Sequence, residues 1–368
     1  MKVLHVITGL GDGGAEACLY RLINETHRIT DHYVVALRSR DKYSKLLSQN
    51  GIPVFHLNID SPLQIIKQSF DLYSLIKKIN PDIIQTWLYH ADFLGGILGK
   101  IAHKKVIWGI HNTTLEFGKS STTTILLVRI LSLLSYFIPE KIISCSIASS
   151  NSHTALGYCK KKFITIHNGV DTNSFYQSHF LRNQFRTELK IQNSDLCIGM
   201  VARNDPQKDY SNFISALAEL HAQNFPFKCV IAGSNTNQLQ AKVKSKKLEN
   251  NILILGQRKN IQALMNGLDL LVLSSAYGEA CPNVLLEAMA CGVPCVATNL
   301  GDCKYILGDT GVVVEPKNHQ QLSQAICNLA QNLSKELSCQ CMNRISQHFT
   351  LSKMVASYKK VWESSLFH

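Results

Sequence analysis

Short apolar runs rich in β-branched residues alternate with helix-length amphipathic segments along almost the whole chain, and this alternation limits the fold more than any other feature. A strand buried on both faces reads as such a run, and parallel strands need a long crossover between them, which a helix supplies. In the first half the runs are Lys2–Thr8, Tyr33–Leu37, Val54–Leu57, Asp82–Thr86, Lys105–His111, Lys141–Ala148 and Phe163–His167. The rhythm restarts after a polar stretch, Asp171 to Ser194, with Leu196–Ala202, Phe227–Ala232, Ile252–Leu255, Leu268–Ser274, Pro294–Ala297 and Val312–Val314. Two doubly wound α/β domains are therefore expected. Their seam falls near residue 170, where Asn168-Gly169-Val170-Asp171 carries turn chemistry. Length agrees, since 368 residues exceed the roughly 250–300 that one core fills. The last helix, near Leu351 to Leu366, fits neither series.

Several function classes drop out. Met1 to Thr8 leads straight into a strand without the basic, apolar and small-residue regions of a signal peptide, so a cytoplasmic location is expected. The 12 cysteines are scattered, lack any Cys-x-x-Cys and read as reduced core thiols. The 14 histidines form no ligand spacing, and no metal is expected. No stretch of about 18 apolar residues predicts a membrane span. Ile125–Ile138 comes nearest, but Arg129, Ser132 and Ser135 interrupt it; a buried helix and a membrane-surface contact both remain open. The formal charge of +12 attracts polyanions, but no zinc finger or aromatic-interleaved RNA motif accompanies it, so nucleic acid is not the expected partner.

Three loops carry candidate chemistry. Gly9-Leu-Gly11-Asp-Gly13-Gly14-Ala15-Glu16 follows a strand and opens a helix, where glycines let backbone N–H groups close on an anion. Read literally, it also matches a dinucleotide fingerprint; the ribose-binding acid is missing, and Arg38 and Arg40 stand in its place. In Gly199-Met-Val-Ala-Arg203-Asn-Asp-Pro-Gln-Lys208 a strand ends and two cations precede a helix, which suits a diphosphate, although two loop cations taken alone read first as solvated surface charge. In Ser275-Ala-Tyr-Gly-Glu279-Ala-Cys-Pro282-Asn283-Val-Leu-Leu-Glu287, Pro282 starts a helix that Gly292 ends before Pro294. Both carboxylates flank that helix start, where the N–H groups of Asn283, Val284 and Leu285 can receive phosphate oxygens and a carboxylate one turn in can accept from sugar hydroxyls.

The Glu279-x7-Glu287 spacing resembles that of the retaining glycosyltransferases of family 4, which have the GT-B fold of two facing Rossmann-like domains. Arg203-x4-Lys208 resembles that family's phosphate-binding pair, and Gly13-Gly14-Ala15-Glu16 its first-domain glycine loop. The resemblance implies an enzyme that moves a sugar from a nucleoside-diphosphate sugar, UDP among the candidate carriers, to a saccharide or lipid-linked acceptor, in polysaccharide or lipopolysaccharide biosynthesis. It implies Glu279 beside the donor sugar, Glu287 on the ribose, Arg203 and Lys208 on the leaving diphosphate, and His111 facing the reacting sugar. Glu16 would lie toward the acceptor, and Gly13, Gly14 and Arg258 would complete donor binding. No cofactor or metal is then needed, and contact with the inner membrane face remains open. The resemblance further implies domains 1–170 and 171–349, with a final helix of about 350–368 returning to the first. The Glu279-Ala280-Cys281-Pro282 wording departs from the family's Glu-Gly-x-Pro beside the sugar. Three alternatives stand next to this reading: an NADP-dependent oxidoreductase on Gly9–Gly14 with Arg38 and Arg40, a nucleotide-sugar epimerase of the same fold, and a noncatalytic nucleotide-sugar binding protein.

Overall fold

A computed structural model describes residues 1–11, 13–38, 42–59, 61, 64–113 and 121–367. The chain divides into two compact units, Met1–Gly169 with Leu351–His368, and Val170–Thr350.

The first unit is built on seven strands: β1 (Lys2–Ile7), β2 (Asp31–Ala36), β3 (Val54–His56), β4 (Ile83–Trp87), β5 (Lys105–Ile110), β6 (Lys141–Ser144) and β7 (Phe163–Thr165). All pair in parallel in the order β3-β2-β1-β4-β5-β6-β7, so the winding reverses between β1 and β4. Alternate side chains of each strand feed opposite faces: Val3 and Ile7 join one core, Leu4 and Val6 the other. The final helix, Leu351–Leu366, belongs to the first of these cores through Met354, Tyr358, Val361 and Trp362. Its Trp362 Nε1 donates to Gln85 Oε1 at 3.2 Å.

A buried polar chain runs through the same core. Thr26 Oγ1 donates to the Leu22 carbonyl at 2.6 Å, which leaves it to accept from His32 Nε2 at 2.8 Å. His32 Nδ1 must then accept from His5 Nε2 at 2.9 Å, and His5 Nδ1 accepts from Trp87 Nε1 at 3.2 Å. Every proton in the chain is accounted for only when both imidazoles are neutral.

The second unit contains β8 (Cys197–Val201), β9 (Lys228–Ala232), β10 (Ile252–Gly256), β11 (Leu270–Leu273), β12 (Cys295–Thr298) and β13 (Val312–Val314). They are parallel in the order β10-β9-β8-β11-β12-β13, with the reversal between β8 and β11. In open sheets of this kind the carboxyl ends beside such a reversal are where ligands bind.

The structure corrects or adds to the sequence reading at three places. The run Lys141–Ala148 is not all strand: it stops at Ser144, because Ser146 accepts from the Ser149 amide at 3.0 Å and caps a helix, Ile147–Ala155. The polar stretch after residue 170 contains a helix, His179–Glu188, tied to the sheet by the buried Arg186, which bonds Asp269 Oδ2 at 2.5 Å and the Gly267 carbonyl at 2.9 Å. The apolar segment near 125–138 is not a buried helix. It forms Thr122–Leu134 with Val128 and Leu131 inward, while Leu126, Ile130, Leu133 and the following Phe137 are 61%, 40%, 69% and 74% exposed. All 12 cysteines are free, nine of them buried, as the scattered spacing implies.

Candidate functional site

In the second unit the loop after β8 is a sequence of caps. Asp205 accepts from the Gln207 amide at 2.9 Å and starts the short turn Pro206–Lys208. Asp209, with φ of +46°, then caps the helix Tyr210–Ala222 through the Asn212 amide at 3.1 Å. Lys208 is thus pinned between two capping aspartates. The loop after β11 is sewn to this one: the Ala276 amide donates to the Gln207 carbonyl at 2.8 Å and Ser274 Oγ to the Lys208 carbonyl at 3.0 Å.

These ties bring Lys208 Nζ onto Glu279 Oε1 as an ion pair, and Ser275 Oγ donates to the same oxygen at 2.6 Å. Glu279 is only 5% exposed, and these two donors meet a carboxylate largely removed from water. Arg203, in the same loop, is held loosely, at 3.4 Å from both Asp205 and Gln207, and its side chain is 48% exposed. Pro282 stands at the N-cap of the helix Asn283–Ala290 and supplies no side-chain cap. The Leu285 amide bends back to the Pro282 carbonyl at 3.2 Å, which leaves Asn283 and Val284 as the first-turn amides pointing along the helix dipole. Asn283 Oδ1 is buried without a hydrogen-bond partner. Glu287, one turn in, is half-buried. Arg258, after β10, is engaged by Glu188 in an ion pair.

Two glycines that the sequence reading passed over shape this corner. A β-carbon on Gly233, at the end of β9, would lie 1.9 Å from the Ala202 carbonyl oxygen, and one on Gly301 would lie 2.4 Å from the Glu279 carbonyl oxygen. Both adopt positive φ, so only glycine lets the β9 and β12 loops press against the backbone that carries Arg203 and Glu279. The available signal was a glycine close behind a strand run, directly after it in Ala232-Gly233-Ser234 and past Asn299 and Leu300 for Gly301. Ser275 was likewise passed over.

In the first unit Gly13 is the N-cap of the helix Gly14–Thr26. Glu16, three residues on, folds back so far that a Gly13 β-carbon would sit 2.3 Å from its Oε2, the reach of a capping-box acid at a positive helix end. His111 directly follows β5, with its ring stacked on Trp87 at 5.1 Å. Burial pushes its pKa down to about 4, and its Nε2 is buried with no hydrogen-bond partner. A neutral ring nitrogen so placed is ready to meet a hydroxyl group. Arg38 follows β2 at the carboxyl edge of the sheet; Arg40 lies outside the described residues. Among the described residues no group of three or more His, Cys, Asp or Glu side chains could hold a metal ion.

Two family models match in tandem: "Glycosyltransferase Family 4" over residues 12–174 and "Glycosyl transferases group 1" over residues 182–344. The putative glycosyltransferase EpsF of Bacillus subtilis is 23% identical over 319 residues, 81% of this chain and 79% of that protein. The UDP-Gal:alpha-D-GlcNAc-diphosphoundecaprenol alpha-1,3-galactosyltransferase of Escherichia coli is 24% identical over 321 residues, 84% of this chain and 82% of that protein. Among solved structures, that of Anabaena Alr3699/HepE in complex with UDP matches with a TM-score of 0.88 at 24% identity, covering 99% of this chain and 100% of that one.

Proposed function

Because the chain is a glycosyltransferase of the GT-B fold, with a family 4 domain followed by a group 1 domain, we propose that it is a retaining enzyme that transfers a hexose from a UDP-sugar to a saccharide or lipid-linked acceptor of the cell envelope. One observation carries the reading: at the carboxyl edge of the second sheet a buried Glu279 is paired with Lys208, beside a loosely held Arg203 and the uncapped start of the helix Asn283–Ala290. A diphosphate brings two to three negative charges, and this corner offers a guanidinium, an ammonium and two helix amides to meet them. Arg203 can swing to the anion at little cost, since its present bonds are long.

In the proposed reaction the bond from the sugar's anomeric carbon to the β-phosphate oxygen breaks as the acceptor oxygen attacks from the same face. The acceptor proton passes to a leaving phosphate oxygen. Arg203, Lys208 and the amides of Asn283 and Val284 stabilise the charge that collects on the diphosphate, which is the step at which fixed positive groups lower the barrier. Glu279 is assigned to the donor sugar, Glu287 to the ribose, His111 to the reacting sugar and Glu16 to the acceptor side. With Arg203 and Lys208 meeting the leaving charge, the reading needs no metal.

The UDP assignment is supported by HepE, solved with UDP, and by the Escherichia coli relative, named for UDP-Gal. That relative and a Campylobacter jejuni relative, 23% identical over 341 residues, are both named for diphosphoundecaprenol acceptors, which supports a lipid-linked acceptor here. The exposed stripe of Leu126, Ile130, Leu133 and Phe137 supports contact with a membrane face. Near its end Lys162 donates to the Tyr136 carbonyl at 2.7 Å, and partial burial, with Lys100 and Lys141 adding to it, lowers its pKa. No described helix is long and apolar enough to cross the membrane.

The test is a thermal-shift panel of UDP, GDP, ADP and CMP, followed by product analysis with and without acceptor. UDP alone should raise the melting temperature, and sugar should leave the donor for an acceptor. Arg203→Ala should lower kcat by about 10²–10³ with the fold intact. Full activity in that variant removes the site assignment, and donor isomerised without acceptor would make the enzyme an epimerase.

A further inference from the structure

Arg38 has no part in the reaction proposed above, and the described residues give its guanidinium no ion-pair or hydrogen-bond partner. It lines a cavity of about 370 Å3 at the carboxyl edge of the first sheet, within the range of roughly 300–1,000 Å3 found for small-molecule sites. The walls come from six elements, one of them the helix Gln64–Ile79 through Ile65. Thr8 follows β1, Leu37 and Arg38 follow β2, Ile59 follows β3, Phe93 and Leu94 lie on the helix Tyr89–Ile101, and Leu127 lies on the helix Thr122–Leu134. The loops are joined by backbone bonds, Arg38 N–H to the Thr8 carbonyl at 3.0 Å and Ile59 N–H to the Leu37 carbonyl at 2.8 Å, so the cavity is framed by the sheet itself.

Its chemistry is unusual for a water-filled hollow. The walls are mostly leucine, isoleucine and phenylalanine, which a hydrocarbon wets better than water does. Two hydroxyl residues, Thr8 and Ser61, belong to this lining, and Thr8 Oγ1 is buried without a hydrogen-bond partner. Arg38 and His90, both exposed, give the lining its cationic and imidazole groups. Only an amphiphile satisfies all of these at once: an apolar chain for the walls and an anionic oxygen group for a forked guanidinium. The setting fits such a ligand. Ile65, which lines the cavity, and its neighbours Ile66 and Phe70 are 41%, 71% and 72% exposed. Leu127 sits on the helix whose outer stripe carries Leu126 and Ile130. Two of the helices that wall the cavity thus also carry exposed apolar side chains, which suit a lipid chain.

We infer that this cavity binds the acceptor's lipid phosphate, with the phosphate on Arg38 and the adjoining hydrocarbon among Leu37, Phe93, Leu94 and Leu127. The inference rests on the proposed glycosyltransferase reading with a lipid-linked acceptor and names where that acceptor is held. The imidazole of His90 supplies a reporter. Partial burial and then the Arg38 charge hold its pKa below the usual value, so a phosphate arriving on Arg38 raises it.

The experiment uses the full chain and farnesyl phosphate as probe. Calorimetric titration should show saturable binding, at least tenfold tighter than that of farnesol or of inorganic phosphate alone, with the His90 ring resonances moving toward the protonated form. Arg38→Ala should weaken binding at least fivefold. Leu94→Trp, which fills the cavity, should abolish it, and Ile65→Asp, at a position exposed enough to spare the fold, should weaken it as well. UDP must bind all three variants as it binds the parent. If farnesyl phosphate does not bind, or binds Leu94→Trp and Ile65→Asp unchanged, the site is wrong even though the enzyme still transfers sugar. Displacement of the probe by dihexanoyl phosphatidylglycerol at equal concentration would also overturn it, because the cavity would then be a general lipid site and not the acceptor's. Loss of UDP binding by the parent chain would instead strike the glycosyltransferase reading.

Discussion

At Lys208 two anions compete for one ammonium. In the free protein Glu279 holds it, in a pocket that excludes most water from the carboxylate. A UDP diphosphate that arrives must share that ammonium and also sit near a buried negative charge. Removing the charge while keeping the shape should therefore have opposite effects on binding and on chemistry. Glu279→Gln retains a partner for Ser275 Oγ and releases Lys208, so UDP should bind roughly fivefold more tightly, about 1 kcal/mol, while transfer falls steeply because the donor sugar loses its acid. Lys208→Met should weaken UDP and leave Glu279 buried without its cation, a change that typically costs about 3–5 kcal/mol in a fully buried pair and less here because Lys208 keeps some solvent contact. Equilibrium titration of UDP against both variants, with transfer rates measured alongside, checks the signs. Weaker UDP binding by Glu279→Gln would show that the carboxylate positions the diphosphate and does not oppose it.

Among the elements of the first unit, the buried histidines set the response to acid. Burial holds His32, His111 and His153 at about 4 and His5 well below its ordinary value, with His5 and His32 locked in the proton chain from Trp87 to Thr26. Between roughly pH 6.5 and 4 the unfolded chain takes up protons at these positions and the folded chain does not. Stability therefore rises with pH across that window and is lost as pH falls through it, by up to about 1.4 kcal/mol per pH unit for each such histidine. Asp92 opposes this. Burial lifts its pKa well above the carboxylate range, so it keeps a proton that the unfolded chain has lost; one group against four leaves the histidines in control. All three tryptophans, Trp87, Trp108 and Trp362, are buried in this unit, so their fluorescence follows it alone. The urea midpoint read by that fluorescence should drop markedly from pH 7 to pH 5; an unchanged midpoint would mean these rings are solvated or charged in the fold. The same packing explains which elements the sequence disclosed. All thirteen strand runs appear because a strand buried on two faces must be apolar throughout, whereas the Lys141–Ala148 run overshot because Ile147 and Ala148 are apolar for a helix's reasons. His179–Glu188 stayed hidden because a buried arginine and its distant partner Asp269 hold it, not an apolar stripe. In the candidate site Arg203, Lys208 and Glu279 were legible as charges at strand ends. Gly233, Gly301 and the Arg258–Glu188 pair were not, since each depends on backbone or side chains far apart in sequence meeting in space.

For the molecule as a whole, the final helix decides which unit a truncation harms. Leu351–Leu366 follows directly on the second unit in the chain, yet its buried side chains lie in the core of the first, where Trp362 is fully buried against the rings of His5 and His32. Removing residues 351–368 uncovers Met354, Tyr358, Val361 and Trp362 positions in that core. At roughly 1.5–3 kcal/mol for each large apolar side chain, the loss is on the order of 6–12 kcal/mol, comparable to the whole stability of a typical domain, about 5–15 kcal/mol. The second unit keeps its own strands, its core and the Arg203, Lys208, Glu279 corner. The truncated chain should therefore show red-shifted emission from Trp87 and Trp108 while retaining a thermal transition that UDP still raises. Trp362→Phe is the milder counterpart. It keeps the ring but leaves Gln85 Oε1 without its donor, a buried loss of about 1–3 kcal/mol that should lower the first unit's midpoint and leave UDP binding untouched. Native emission from the truncated chain would mean that the first sheet closes its core unaided, and a loss of the UDP-sensitive transition would mean that the two units do not fold independently.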